Sequence, residues 1–227
     1  MKYKKKINRF YKFHIVTPRV AHSAYQELNE QGGRGLFLDC GSNIGQGFKF
    51  FSRYFKNDKF DYELFEPNPN CLPFLKKIKD SLPACNIVIH DKAIGVSNET
   101  LKFYGLTESK GGGNLSQGGS ILSDHNSKMY VADSENAIYV QSIDFCEFIK
   151  VKLEDYKLVV IKMDIEGGEY PLLDRMIKEN IFLNIHSIFC EFHSQYMIEE
   201  KQESYRSKEI EYESKIKKSN CKFNLWI

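Results

Sequence analysis

Six side chains capable of acid, base or ligand chemistry close short apolar runs in this 227-residue chain: Asp39, Glu66, Asp164, Glu166, Glu191 and His193. The first stands in Leu-Phe-Leu-Asp-Cys-Gly-Ser-Asn-Ile-Gly, residues 36 to 45, where an apolar run stops at Asp39 and gives way to Gly41 and Gly45. This reads as a buried parallel strand entering a tight loop. Gly41 and Gly45 let the backbone approach a ligand closely, and Asp39, Ser42 and Asn43 offer polar contacts ahead of a helix N-terminus. The spacing Asp-x-Gly-x-x-x-Gly differs from the Gly-x-Gly-x-x-Gly of dinucleotide sites and from phosphate-cradling loops that end in Gly-Lys-Ser/Thr. A nucleoside without a pyrophosphate therefore suits it, and S-adenosylmethionine is the commonest cofactor of that kind.

Glu66, in Phe-Glu-Pro-Asn-Pro, follows Asp39 by 27 residues (66 − 39). That is near the offset of roughly 20 at which an acidic residue accepts hydrogen bonds from ribose hydroxyls in open α/β folds. Glu66 and Pro67 are placed on the ribose side, and Asp91 or Lys92, after the run Ile87 to His90, at the adenine end. In Lys-Met-Asp-Ile-Glu-Gly-Gly-Glu, residues 162 to 169, three carboxylates crowd a turn. Such crowding repels itself unless a cation, a positive group such as Lys162, or a hydrogen-bonding substrate balances it. Glu169 has the simpler reading of an acid in the first turn of a helix. In Cys-Glu-Phe-His, alternation puts Glu191 and His193 on one side of a strand whose neighbour carries Asp164. Two chemistries stay open there: Asp164, Glu191 and His193 hold a divalent metal, or His193 or a carboxylate takes a proton from a substrate hydroxyl.

These residues need a scaffold with its ligand site at strand ends. Five near-continuous apolar runs, Leu36–Cys40, Tyr62–Phe65, Ile87–His90, Leu158–Met163 and Ser187–Phe192, read as strands covered on both faces. Helical stretches over 45–55, 68–81 and 168–180 alternate with them, which predicts a doubly wound, mostly parallel α/β sheet with helices on both faces. Thr17 as N-cap, Pro18 at the first helical position and the stop at Gly32-Gly33 predict a leading helix over 18–31. Strands over 100–106 and 137–143 and a short helix over 145–150 fill the long interval before the fourth run. Between them the glycine-rich insert 109–120 cannot pack a core of its own. The charged tail 199–219 reads as an exposed helix and 223–227 as a last strand. The organisation is thus a basic leading segment (1–33), a core (34–198) and a C-terminal helix and strand (199–227).

Composition narrows the classes. A net charge of +2 falls short of the basic balance of a dedicated nucleic-acid binder, and no apolar run reaches the ~20 residues of a membrane helix. The six cysteines are scattered without a Cys-x-x-Cys pair, as expected of small buried hydrophobes in a reducing, cytoplasmic setting. The basic start, Lys2 to Lys12, reads as a solvated tail or as a contact to an anionic substrate or membrane surface.

Taken together, Leu-Asp-Cys-Gly-Ser-Asn-Ile-Gly (38 to 45), Phe-Glu-Pro-Asn-Pro (65 to 69), Val-Gln-Ser-Ile-Asp (140 to 144), Ile-Lys-Met-Asp-Ile-Glu-Gly-Gly-Glu (161 to 169) and Glu-Phe-His (191 to 193) resemble the FkbM-type methyltransferase family. The resemblance spans roughly residues 34 to 197. It implies a class I, Rossmann-like methyltransferase fold, S-adenosylmethionine as cofactor, and methylation of a hydroxyl on a sugar, glycan precursor or secondary metabolite. Carried over, Asp39, Gly41, Ser42, Asn43 and Gly45 match the methionine-side loop, Glu66 the ribose acceptor and Asp91 or its neighbours the adenine end. Asp164, Glu166, Glu191 and His193 would face the transferred methyl. The rivals are a methyltransferase for a phosphate-type acceptor or a nucleic acid, and a nicotinamide-dependent oxidoreductase. The absent Gly-x-Gly-x-x-Gly counts against the last, and the acidic site without an Asn/Asp-Pro-Pro-aromatic motif counts against nucleic acid.

Overall fold

The computed structural model describes residues 8–105, 118–126 and 137–226. Its centre is a six-stranded sheet in the order β3-β2-β1-β7-β8-β9, with every pairing parallel. The strands are β1 (Gly35–Cys40), β2 (Phe60–Phe65), β3 (Ile87–His90), β7 (Leu158–Met163), β8 (Ser187–Cys190) and β9 (Lys222–Leu225). All residues of β1, β2, β7 and β8 are buried, including the charged Asp39, Asp61, Glu63 and Lys162, as expected of largely apolar strands covered on both sides.

Alternation along β1 divides the core in two. Leu36, Leu38 and Cys40 join the layer built with α4 (Phe145–Asp155) and α5 (Glu169–Lys178). Phe37 joins the opposite layer with α1 (Thr17–Gln31), α2 (Gln46–Phe51) and α3 (Leu72–Ser81), where Phe37, Phe48, Phe51, Phe55 and Phe60 are fully or almost fully buried. This is the doubly wound arrangement that the alternating runs predict. The chain leaves β1 towards β2 and β3 on one side and towards β7, β8 and β9 on the other. The point of reversal, at the carboxyl ends of β1 and β7, is where such sheets bind ligands.

A smaller sheet in the order β4-β6-β5 comprises β4 (Ala93–Gly95), β5 (Thr100–Phe103) and β6 (Ile138–Asp144), with β4 parallel and β5 antiparallel to β6. Of the glycine-rich insert, residues 109–117 lie outside the described residues. Ser120 pairs with Tyr104 and extends this small sheet towards the main cleft.

Three local expectations change. Thr17 is not an N-cap, because helical backbone begins at residue 8, passes through a π-helical turn at Lys12–Val16 and runs on through Thr17. Pro18 has no N–H to give, and the widened turn before it accommodates the missing bond. The helix after β1 is shorter than expected, Gln46–Phe51, as is the fifth strand, which stops at Cys190 so that Glu191 to His193 form irregular chain. α6 (Glu199–Ile216) and β9 appear close to the expected places. No helix among the described residues is long and apolar enough to cross a membrane.

Candidate active site

Parallel register sets the first feature of the site. β1 and β7 align Asp39 with Lys162, and alternation turns both side chains towards α2. Lys162, almost fully buried, places Nζ 3.2 Å from Asp39 Oδ1 and 3.3 Å from Asp164 Oδ2, and donates to the Gly41 carbonyl at 2.7 Å. Burial works against the ammonium, but Asp164 and Asp39 outweigh it and hold its pKa above the ordinary lysine value. Asp39 is wholly buried, and burial pushes its pKa up against the opposing pull of Lys162. The pair is therefore an internal strut between the two strand ends.

The β1 turn itself is built by donors that close on it. Ser42 Oγ donates to the Asp39 carbonyl at 2.8 Å, while the amides of Gly41 and Ser42 both donate to the Phe65 carbonyl. Asn43, at φ 47°, donates its backbone N–H to Glu66 Oε2 at 2.7 Å, and Asn68 N–H donates to Glu66 Oε1 at 2.8 Å. Burial raises the Glu66 pKa to about 7 in spite of these two donors.

Opposite lies the acidic turn after β7. Glu166, at φ 52°, brings Oε2 to 3.4 Å from His193 Nε2 and 3.1 Å from His125 Nε2. Asp164 Oδ1 stands 3.5 Å from the same His193 nitrogen. The ring is fixed from behind: His193 Nδ1 lies 3.0 Å from Glu169 Oε1, which also accepts the His193 backbone N–H at 3.1 Å. Burial lowers the proton affinity of His193, but Glu169, Glu166 and Asp164 together raise its pKa to about 10. At neutral pH it is an imidazolium that holds three carboxylates together. Glu191, partly exposed, is pushed up to about 7 by burial and by Asp164.

One cavity of about 740 Å³ joins the two halves. Gly41, Ser42, Asn43, Glu66, Pro67 and Lys92 line one part of it, and Asp164, Glu166, Glu191 and His193 another. Three expected ligand contacts are absent from that lining. Asp39 sits behind Gly47, whose position would bring a β-carbon within 2.9 Å of both Asp39 oxygens, so Asp39 acts through Lys162 and α2. Gly45 faces α3, where an added β-carbon would lie 2.3 Å from Ile78 Cδ1; its freedom serves helix packing and its φ of 88°. Asp91 is exposed, because His90 before it turns inward to stack on Phe65 at 4.3 Å and to meet Glu63 at 2.7 Å, leaving Lys92 to enter the cavity.

Other residues of the site are not singled out by the sequence reading. Glu169 is fully buried and orients His193, which goes well beyond a favourable place in a first helical turn. His125 comes from the segment after the glycine-rich insert, 41 residues before Glu166 (166 − 125), with no motif to mark it. Ser120 Oγ from the same segment donates to the Glu166 carbonyl at 2.6 Å. Tyr196, from the short turn Ser194–Tyr196 after β8, and Arg9 and Trp226, from the two ends of the described chain, line the cavity.

A doubly wound parallel sheet with a nucleoside-type loop after β1, an acid after β2 and an acid–imidazole cluster at the neighbouring strand ends defines a Rossmann-like transferase of the methyltransferase class. Residues 39–213 match the methyltransferase FkbM domain. The chain belongs to the FkbM methyltransferase family, whose members generally use S-adenosylmethionine. Among solved structures it is similar to a methyltransferase FkbM from Methylobacillus flagellatus KT, at 18% identity and a TM-score of 0.38, over 64% of this chain. The match spans 29% of the length of that protein. Among curated proteins there is no match.

Proposed function

We propose that the chain is an S-adenosylmethionine-dependent O-methyltransferase acting on a hydroxyl of a sugar or glycan precursor. The observation that carries the reading is the shared cavity: the Gly41–Asn43 turn and Glu66 open into the same space as Asp164, Glu166, Glu191 and His193. Its volume of about 740 Å³ falls in the range of small-molecule sites, roughly 300–1,000 Å³. The residues present fit an adenosyl cofactor. Glu66 spends one lone pair per oxygen on the Asn43 and Asn68 amides and keeps others for ribose hydroxyls. When bound, S-adenosylmethionine would supply an electrophilic methyl group on its sulfonium.

The chain's own residues align the acceptor oxygen and remove its proton. Holding two reactants in line is worth roughly 7–11 kcal/mol in favourable cases. Of the groups in the acidic half, His193 already carries its proton and suits orientation of the acceptor. Glu191 has a proton affinity near neutral pH and a partly exposed carboxylate on the cavity, so it takes the role of base. The sequence reading leaves this role open between His193 and a carboxylate. Asp164 instead tethers Lys162 to His193.

A second reading has its own support. Asp164, Glu191 and His193 each offer a ligand atom within 4.8 Å of the others, and Glu169 fixes the far nitrogen of His193 as a metal-bound imidazole requires. Calorimetric titration of chelator-treated protein with Mn²⁺ or Mg²⁺ tests it; absence of binding overturns it.

The test of the main reading is transfer of labelled methyl to a panel of sugars, nucleotide sugars and lipid-linked glycans, with adenosylhomocysteine binding measured in parallel. Absence of adenosylhomocysteine binding, or binding of reduced nicotinamide cofactor in its place, would overturn it.

A further inference from the structure

The cavity wall contributed by the two ends of the described chain plays no part in the mechanism above. Trp226, the single tryptophan of the chain, follows β9 and lines the cavity. Its ring is wedged against Phe13, Phe50 and Phe51, with centroids 5.0, 5.3 and 4.8 Å away. Phe13 belongs to the leading helix, and the Arg9 guanidinium sits 5.2 Å from its ring centroid. A chain of tilted ring contacts, Arg9–Phe13–Trp226–Phe50, thus ties the N-terminal helix to the last strand and to α2 at the cavity wall.

Two features of the leading helix point to a ligand. Arg9 lines the cavity, and among the described residues no carboxylate lies within ion-pair distance of it, although the acidic turn opens into the same space. Three residues further along the helix, half-buried Lys12 has its pKa lowered by burial, which the charges of Glu213 and Glu191 only partly offset. The leading segment therefore brings positive charge to a site whose transfer centre is acidic, and it does so beside an aromatic ring already held in place by three others. A rigid aromatic face takes the C–H face of a sugar ring at little entropic cost, and a guanidinium fork matches the paired oxygens of a phosphate.

We propose that Trp226 and Arg9 form the acceptor subsite, and that the acceptor is a sugar carrying a phosphate ester: the ring lies on Trp226 and the phosphate is held by Arg9. This rests on the methyltransferase reading above and narrows its substrate class. The phosphate belongs at Arg9 because Asp164 and Glu166 would repel it from the transfer centre. Nucleotide sugars and polyprenyl-phosphate-linked sugars share this chemistry.

The lone tryptophan gives a direct readout. With the cofactor site saturated by adenosylhomocysteine, Trp226 emission is followed during titration with glucose 1-phosphate, UDP-glucose, a polyprenyl-phosphate-linked glucose in detergent micelles, and neutral methyl glucoside. The expected result is saturable quenching by one or more of the phosphorylated sugars and little by methyl glucoside; which arm binds tightest identifies the soluble or lipid-linked source. Arg9→Gln should weaken that binding by about tenfold or more while adenosylhomocysteine affinity is unchanged. Equal quenching by neutral and phosphorylated sugars, or quenching by none, would overturn the proposal. So would an Arg9→Gln effect on adenosylhomocysteine instead, which would assign Arg9 to the cofactor's own carboxylate. Failure of adenosylhomocysteine to bind the unaltered protein would strike the cofactor reading itself, a result separate from these.

Discussion

Gly41 lies so close under the acidic turn that a β-carbon on it would come within 1.8 Å of the Asp164 carbonyl oxygen. The two turns that carry the site are thus in backbone contact, and Gly41 holds φ 78° besides. Gly41→Ala should destabilise the fold by about 3 kcal/mol or more, since main chain must move. Gly32 is the matched control: it has a similar φ of 72° and nothing within 4 Å of an added β-carbon. Gly32→Ala should cost only the conformational penalty of its backbone region at φ 72° and ψ −177°, about 1–3 kcal/mol. Urea midpoints of the two variants check the difference; equal shifts would refute close turn packing as the reason for the glycine.

That contact also shows why the sequence reveals the scaffold better than the roles of individual residues. Near-continuous apolar runs such as Leu158–Met163, interrupted there by Lys162, read as strands covered on both sides, so sheet type and the rim bearing the acids follow from pattern. The same pattern marks Gly41 and Gly45 as special without saying what approaches them. One accommodates the Asp164 carbonyl and the other Ile78, both far along the chain. Asp39 stands near the end of β1, as the pattern places it. Its concealment behind Gly47 depends on how α2 docks, which no local rule supplies. His125 is invisible for the same cause: it reaches Glu166 only because Ser120 and its neighbours fold back over the acidic turn.

Among the described residues Lys162 is the only buried lysine, and both of its carboxylate partners stand at strand ends of the site. Lys162→Met leaves the fully buried Asp39 without its counter-charge, and the expected loss is about 3–5 kcal/mol. The double variant Lys162→Met/Asp39→Asn should recover much of that, because the stranded charge is removed with its partner. Denaturant unfolding of these two proteins, of the single variant Asp39→Asn and of the wild type completes a cycle. Additive losses would show that the pair does not act as a unit.

Glu66 gives the cofactor site a pH dependence with a definite sign. Its pKa is raised by burial to about 7, and the ionised form is the better acceptor for ribose hydroxyls. Adenosylhomocysteine should therefore bind more tightly as pH rises through about 7. In Glu66→Gln the affinity should fall by about tenfold at pH 8 and lose this pH dependence. Isothermal calorimetry between pH 6 and pH 8 reads both effects, and an unchanged pH profile in the variant would remove Glu66 from the ribose site. The same shift acts oppositely on apo-protein stability: between 4.5 and about 7 the folded state holds the proton that the unfolded chain has lost, so this group's contribution falls as pH rises.

His193 reports on the acidic half by the same reasoning. Its folded-state pKa of about 10 lies above the ordinary 6.5, so its stabilising contribution is complete below pH 6.5 and is lost as pH rises towards 10. In chelator-treated protein, His193→Gln should flatten that part of the stability curve relative to wild type. Glu169→Gln removes the carboxylate that fixes Nδ1 and should lower the His193 pKa, moving the loss of stability to lower pH. It should also depress turnover by tenfold or more with little change in adenosylhomocysteine affinity, since Glu169 touches the ring and not the cofactor loop. Imidazole titration by NMR, set beside thermal unfolding from pH 6 to pH 10, measures both. A His193 resonance titrating near 6.5 in the wild type would show that the three carboxylates do not hold its proton, and would return it to the role of general base.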